Sequence, residues 1–397
     1  ADFERFQLRP QVLRDVSARQ LEADFLGERH ALPLMLGPVG SLGLFRAGAE
    51  TASFRAAHAA GIPACMSSFA ITAPETLLPL AGPGAAFQLY VLKDRDRTES
   101  ILERIAACGA RTLFVTVDTS VSGIRERDIR NGLRVLSRPG PRMIADFLGH
   151  PLWLADMLRV HPVGMALAQD WPEAGRGYLA QAAFLAGQID ASFDERGLAW
   201  LRSRWNGRLI VKGVLTCRDA LRCADLGADG IVVSNHGGRQ LDGVSSSIAA
   251  LAGIAAALAG RIEILFDGGI RRGGDVVKAL ALGASACLLG RAYVYGAVAG
   301  REAGVAAVLS SLRAEMDATL ALMGLRSIDE LRAAGPEVLI PAAAGRGTPP
   351  HPGAASSGHH GKRPRAAPSP PAVFDDKQIF AGRRAAIRPE WRTTARR

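Results

Sequence analysis

Eight short apolar runs, each separated from the next by a helix-like segment, constrain this chain more than any other feature. The runs are Leu32–Val39, Ile62–Ser68, Ala85–Val91, Thr112–Asp118, Arg208–Val214, Asp229–Asn235, Ile262–Gly269 and Ser285–Arg291. Most are apolar on both faces, as parallel strands covered by helices must be. Helical patterns such as "RTESILERIAACGA" and "GGDVVKALALGA" lie between them and often close on glycine. Repeated β/α units of this number predict an α/β fold, a (β/α)8 TIM barrel, with a doubly wound sheet as the structural competitor.

One connection is too long for a simple crossover. More than 70 residues separate Arg125 from Leu201, and the stretch "GHPLWLADMLRVHPVGMALAQDW" within it is apolar and locally helical. It reads as an insertion after strand 4, about residues 126–200, serving as a lid, a partner surface or an extra packed helical pair. After Ile340 the composition turns to Pro, Gly, Ser and Arg. Residues 1–340 are therefore expected to form the barrel and 341–397 a disordered tail. His359 and His360 in that tail make at most a weak metal site.

Charge sharpens the division. The formal net charge is +10, but the tail holds eleven Lys/Arg against three Asp/Glu, a surplus of eight. The remainder is nearly neutral, which argues against a specific nucleic-acid site on the barrel and makes the tail a nonspecific electrostatic arm. Five scattered cysteines (Cys65, Cys108, Cys217, Cys223, Cys287) include no C-x-x-C and suit buried or free thiols in a reducing cytosol. The N-terminal stretch lacks a signal-peptide core, and the longest apolar run, Ile248–Gly260, is too short to span a bilayer.

The ends of the predicted strands collect polar groups that a barrel interior excludes unless they are paired or used. They are Pro38-Val39-Gly40, Ser67-Ser68, Gln88 with Tyr90, Thr116 with Asp118 and Arg125, Lys212, then Ser234 with His236 and Arg239. Strands 7 and 8 end in Asp267-Gly268-Gly269-Ile270-Arg271 and in Gly290-Arg291. Barrels build phosphate sites from these two loops and a helix N-terminus. Lys212 inside the mouth suits a ligand that becomes negative, as a reduced flavin does. No G-x-G-x-x-G follows strand 1.

Taken together, "FQLYVLKDR", "TVDTSVSGIRERD", "LIVKGV", "SNHGGRQLDG", "FDGGIRRGGDVVKALALGA" and "LLGRA" resemble the FMN-dependent 2-hydroxy-acid dehydrogenase/oxidase family, over about Phe3 to Ile340. The resemblance implies oxidation of an L-2-hydroxy acid, lactate- or mandelate-like, to the 2-oxo acid. It makes His236 the base at the substrate and Asp118 its orienting carboxylate. Arg239 and Arg125 would hold the substrate carboxylate and Tyr90 its hydroxyl. FMN would lie on Pro38, Val39, Gly40, Ser67, Gln88, Thr116, Lys212 and Ser234. Its ribityl phosphate would lie on Asp267, Gly268, Gly269, Ile270, Arg271, Gly290 and Arg291.

The resemblance also places Phe69 beside the substrate side chain. Gly40, where several oxidases of the family carry Ala, favours a quinone or other carrier as electron acceptor. Homo-oligomers are common among such barrels. A cytosolic protein is expected, peripheral on the inner face of the membrane through Trp153, Met157 and Trp171 of the insertion. The family's N-terminal helical segment, with its substrate-contacting tyrosine, is missing ahead of "FERFQLRP". The barrel floor is therefore expected to be less well closed, and two further readings stay open: an FMN-binding barrel with little turnover, and another FMN- or phosphate-binding barrel enzyme such as an isomerase.

Overall fold

The computed structural model describes residues 2–121, 123, 124, 126, 130, 141–158 and 164–341. Arg125 and the predicted tail after Pro341 lie outside the described residues. All eight apolar runs are strands: β1 (Leu34–Leu36), β2 (Ala64–Ser67), β3 (Ala85–Leu89), β4 (Thr112–Thr116), β5 (Arg208–Val214), β6 (Gly230–Val233), β7 (Glu263–Asp267) and β8 (Ala286–Leu289). They pair in parallel in chain order, and β8 closes on β1 to complete a barrel.

Outer helices return the chain to the N-terminal end after each strand, among them Ala49–Ala59, Arg95–Ala107, Glu195–Arg204, Cys217–Asp225, Ser247–Leu258, Gly273–Ala281 and the segment Arg291–Leu322, which breaks at Gly300 and Arg301. After β2 the crossover shrinks to Pro74–Leu77 and a 3-10 stretch, Leu78–Gly84, where Pro83 prevents a longer helix. Side-chain oxygens of Asp94, Asp194, Thr216 and Ser246 accept backbone N–H groups and start four of these helices.

Strands Ala23–Phe25 and Glu28–His30 form a hairpin across the N-terminal end. Its two-residue loop has φ of 50° at Leu26 and 75° at Gly27, the doubly left-handed geometry that matches hairpin twist. Leu26 is buried, and its N–H donates to the Glu263 carboxylate at the foot of β7. Burial and that hydrogen bond offset the strain of a left-handed leucine.

The insertion is a helical layer of its own. Pro141–Leu148, Pro151–Met157 and Tyr178–Gln188 are its described α-helices. Asp156, buried, accepts from Ala47 N and pairs with Arg301 and Arg46, fixing the second of these to the barrel. The helix Glu195–Arg204 packs Leu198 and Leu201 into the main core and reads as the crossover of β4 to β5.

Candidate active site

Two rows of polar side chains line the C-terminal mouth of the barrel, and they differ in kind. The first spans β2 to β4 and is neutral. Ser67 Oγ donates to Gln88 Oε1 at 3.2 Å, and Gln88 Nε2 donates to Thr116 Oγ1 at 3.0 Å. All three side chains are buried. Phe114, two residues before Thr116 on the same face of β4, is fully buried beneath the row.

The second row spans β5 to β7 and is charged. Lys212 Nζ donates to Asp267 Oδ2 at 2.9 Å and to Ser234 Oγ at 3.1 Å, and Ser234 Oγ donates to Asp267 Oδ2 at 2.7 Å. Burial opposes the charge on Lys212, yet Asp267, Asp118 and Tyr90 outweigh it and hold its pKa above the usual value. Burial likewise works against the Asp267 carboxylate, but Lys212 and the Ser234 hydroxyl keep its pKa below the ordinary range. The pair is therefore ionised on both sides.

Beyond β6 the chain turns sharply. His236, Gly237 and Gly238 have φ of 55°, 68° and 72°. Three consecutive left-handed residues make this turn, and glycine adopts that geometry at no steric cost at two of them. The strained histidine backbone is tied to the charged row, because His236 N donates to Ser234 Oγ at 3.0 Å. His236 Nδ1 lies 2.9 Å from Asp118 Oδ1, which also accepts from Thr119 Oγ1 at 3.0 Å. With Nδ1–H engaged by a carboxylate, Nε2 is left as the basic nitrogen. Asp118 Oδ2 is buried without a hydrogen-bond partner.

Gly213 makes this pairing possible and was not singled out from the sequence. It sits at a register shift between β5 and β6 with φ of 107°. A Cβ there would lie 2.5 Å from Asp118 Cγ, so only glycine leaves room for the carboxylate. Gln240 was also missed. Its Nε2 donates to the Asp118 and Val121 carbonyls and ties the histidine loop to the end of β4. A bulge is set by cross-strand register, which a linear sequence does not display.

Several of the remaining candidates border the mouth. Tyr90 is half-buried with its ring edge-on to Phe69, centroids 5.5 Å apart. Arg239 is exposed beside His236. Pro38, Val39 and Gly40 follow β1, and a Cβ on Gly40 would meet Phe69 Cβ at 2.8 Å. The two phosphate-type loops differ from each other. Gly268 and Gly269 have φ of 124° and 79°. At the following helix, however, Asp275 accepts from Arg271 N and Arg272 N, and Glu315 accepts from Gly273 N. Ile270 is buried, while Arg271 is exposed. The helix Arg291–Leu322 has only Gly290 at its cap and no side-chain capping bond. Its first-turn N–H groups have no capping side chain and could receive an anion. Arg291 reaches across to Gly237 O at 3.1 Å and links this arm to the histidine loop.

The donor set fits FMN. Lys212 uses two of its three N–H donors, and Thr116 accepts a hydrogen bond while its own hydrogen has no assigned acceptor. Unused donors above a closed barrel, next to an open helix N-terminus, suit an acceptor-rich ring carrying a phosphate. Among the described residues no group of His, Cys, Asp and Glu could hold a metal ion.

Known proteins resemble the chain over most of its length. The chain is 41% identical to an L-lactate dehydrogenase of Xanthomonas campestris pv. campestris (strain B100) over 332 residues, 83% of this chain and 86% of that one. It is 42% identical to an L-lactate dehydrogenase of Caulobacter vibrioides (strain NA1000 / CB15N) over 330 residues, 82% and 85% of the two chains. The crystal structure of the monotopic membrane protein (S)-mandelate dehydrogenase superposes with a TM-score of 0.81 at 39% identity, covering 86% of this chain and 89% of that one. The sequence profile of the FMN-dependent dehydrogenases matches residues 1–337. The chain belongs to the FMN-dependent dehydrogenase family, whose lactate- and mandelate-oxidising members are FMN-dependent 2-hydroxy-acid oxidoreductases.

Proposed function

We propose that this enzyme oxidises an L-2-hydroxy acid of the lactate or mandelate type to its 2-oxo acid, with His236 as the base. The observation that carries the reading is the 2.9 Å contact between His236 Nδ1 and Asp118 Oδ1, made at a left-handed turn. FMN, when bound, supplies the two-electron acceptor. Pro38, Val39, Gly40, Ser67, Gln88, Thr116, Lys212 and Ser234 would hold its ring system, and the 267–271 loop with Gly290 and Arg291 would hold its ribityl phosphate.

His236 Nε2 takes a proton released as the substrate alcohol becomes a ketone. Asp118 stabilises the imidazolium that forms and keeps the ring in the tautomer that leaves Nε2 free. Arg239 orients the substrate through its carboxylate, as a planar fork does best, and Tyr90 binds the hydroxyl. Arg125, outside the described residues, is assigned the same carboxylate by resemblance. Lys212 would set its positive charge against the ring system of bound FMN.

The acceptor on this reading is a quinone or another carrier, reached at a membrane surface. Its support is a set of exposed apolar side chains on two consecutive insertion helices: Ile144, Leu148 and Leu152, with Leu158 just beyond. The three residues expected from the sequence to serve as anchors are less exposed. Trp153 is half-buried against Phe147 and donates to Leu44 O, Met157 is half-buried, and Trp171 lies under the Arg97 guanidinium. Among the described residues no helix is long and apolar enough to cross a membrane.

The test is the colour of the protein. Loaded with FMN and kept free of oxygen, it should bleach on adding L-lactate or L-mandelate and regain colour with a quinone analogue. Protein that holds FMN but stays yellow with every 2-hydroxy acid tried would overturn the reading.

A further inference from the structure

Tyr178 has no place in the chemistry above, yet it touches the mouth. It is the first residue of the insertion helix Tyr178–Gln188, and its hydroxyl lies 2.8 Å from Ser41 Oγ. The next link fixes the direction. Ser41 Oγ lies 3.3 Å from Phe69 O, a carbonyl that can only accept. The serine hydrogen therefore goes to Phe69, and Tyr178 donates to the serine. Ser41 N donates to the same carbonyl at 2.8 Å. Ser41 itself has φ of 59°, a conformation a serine keeps only where its partners hold it.

On its other side, Phe69 N donates to Ser67 Oγ at 3.2 Å. That oxygen begins the neutral row through Gln88 to Thr116. One line of hydrogen bonds thus runs from the insertion to β4, with the Phe69 backbone as its middle link. The Phe69 ring is held in the same way. It meets Tyr90 edge-on and also packs against a small apolar cluster formed by Met165, Ala168, Ala174 and Leu185. That cluster belongs entirely to the insertion, which is pinned to the adjacent residue by Ala166 N donating to Ala70 O at 3.1 Å.

We propose that Tyr178 is a specificity-positioning residue: through Ser41 it fixes Phe69 and so sets the space left for the substrate's side chain. The proposal rests on the 2-hydroxy-acid reading. A fixed ring packs against a short side chain and resists a bulky one. A released ring gives way to the bulky one and packs poorly on the short one.

The experiment uses the full FMN-loaded chain and Tyr178→Phe, which removes only the hydroxyl. Oxygen-free kcat/KM is measured for L-lactate and L-mandelate. Dissociation constants of oxalate and phenylacetate, which do not react, are read from flavin absorbance. The mandelate-to-lactate ratio should rise about 2- to 10-fold, the equilibrium weight of one neutral hydrogen bond, mainly through KM. The two inert acids should shift in the same sense. Ser41→Ala should reproduce the change, and the double variant should add nothing to either single one. An unmoved ratio in a competent enzyme, or single effects that add, overturns the proposal alone. A parent whose bound flavin neither acid reduces overturns the functional reading and the proposal together.

Discussion

The neutral row of β2 to β4 and the charged row of β5 to β7 occupy the same mouth, yet they are held by different physics. Ser67, Gln88 and Thr116 are neutral at any working pH, and their hydrogen bonds fix shape. Lys212 and Asp267 are a buried ion pair with Ser234 bonded to both. Such a pair adds little net stability over apolar residues, but removing one partner strands a charge. On the proposed reading, the neutral row orients the flavin and bounds the substrate, while the charged row manages protons and electrons.

The sharpest way to break this contrast is Asp267→Asn. Lys212 would lose its counter-charge, and burial would then push its pKa down instead of being overruled. The loss should be about 3–5 kcal/mol of folding stability, read by chemical denaturation, with FMN content falling in parallel. A loss no larger than that of a neutral-row substitution would remove the distinction between the rows.

Gly213→Ala comes next and acts on placement instead of charge. The added Cβ would overlap Asp118 and require an alanine at φ of 107°. A carboxylate displaced by about 1 Å should slow flavin reduction on the order of 10²-fold, while far-ultraviolet circular dichroism stays the same. An unchanged rate would show that Asp118 does not need its present position.

Gln88→Leu is the matching test on the neutral side. It leaves Ser67 and Thr116 with an unmet partner each and should cost about 1–3 kcal/mol, weakening FMN binding without altering the pH profile of reduction.

The smallest expected effect concerns pH and the pair itself. Asp267 has its pKa depressed, so its contribution is present above the ordinary value of about 3.9 and is lost as pH falls through its lower folded value. Lys212 has its pKa raised, so its contribution is complete below about 10.4 and is lost as pH rises through its higher folded value. FMN retention should therefore be flat across the neutral range and fall only toward both extremes. A break between those extremes would mean that a group other than this pair helps to hold the cofactor.

What the sequence displays and what it hides follow from the range of the interactions. "RLIVKGV" reads as a strand, and Arg208–Val214 is one, because its apolar stretch Leu209, Ile210 and Val211 covers both faces, as a parallel strand under helices requires. The polar strand ends, with the glycine-flanked His236, are visible for the same reason: they interrupt that rule. The floor hairpin was not legible, because Leu26 occupies a turn position where Asn or Asp would have signalled it. The Tyr178–Ser41 bond was hidden by separation, since the residues lie 137 positions apart and meet only once the insertion folds over β1. Trp153 and Trp171 looked like surface anchors by composition. They are held in packing contacts by Phe147, Leu44 and Arg97, partners that no local pattern reveals.

The account stands most directly on His236, and pre-steady-state reduction of bound FMN in His236→Gln tests it. The account predicts full FMN content, because no cofactor-holding bond is assigned to the imidazole. It also predicts reduction by L-lactate or L-mandelate slowed by about 10²–10⁴-fold, the contribution of a positioned general base. Reduction within a factor of about ten of the parent rate, below the least such a base contributes, would contradict it.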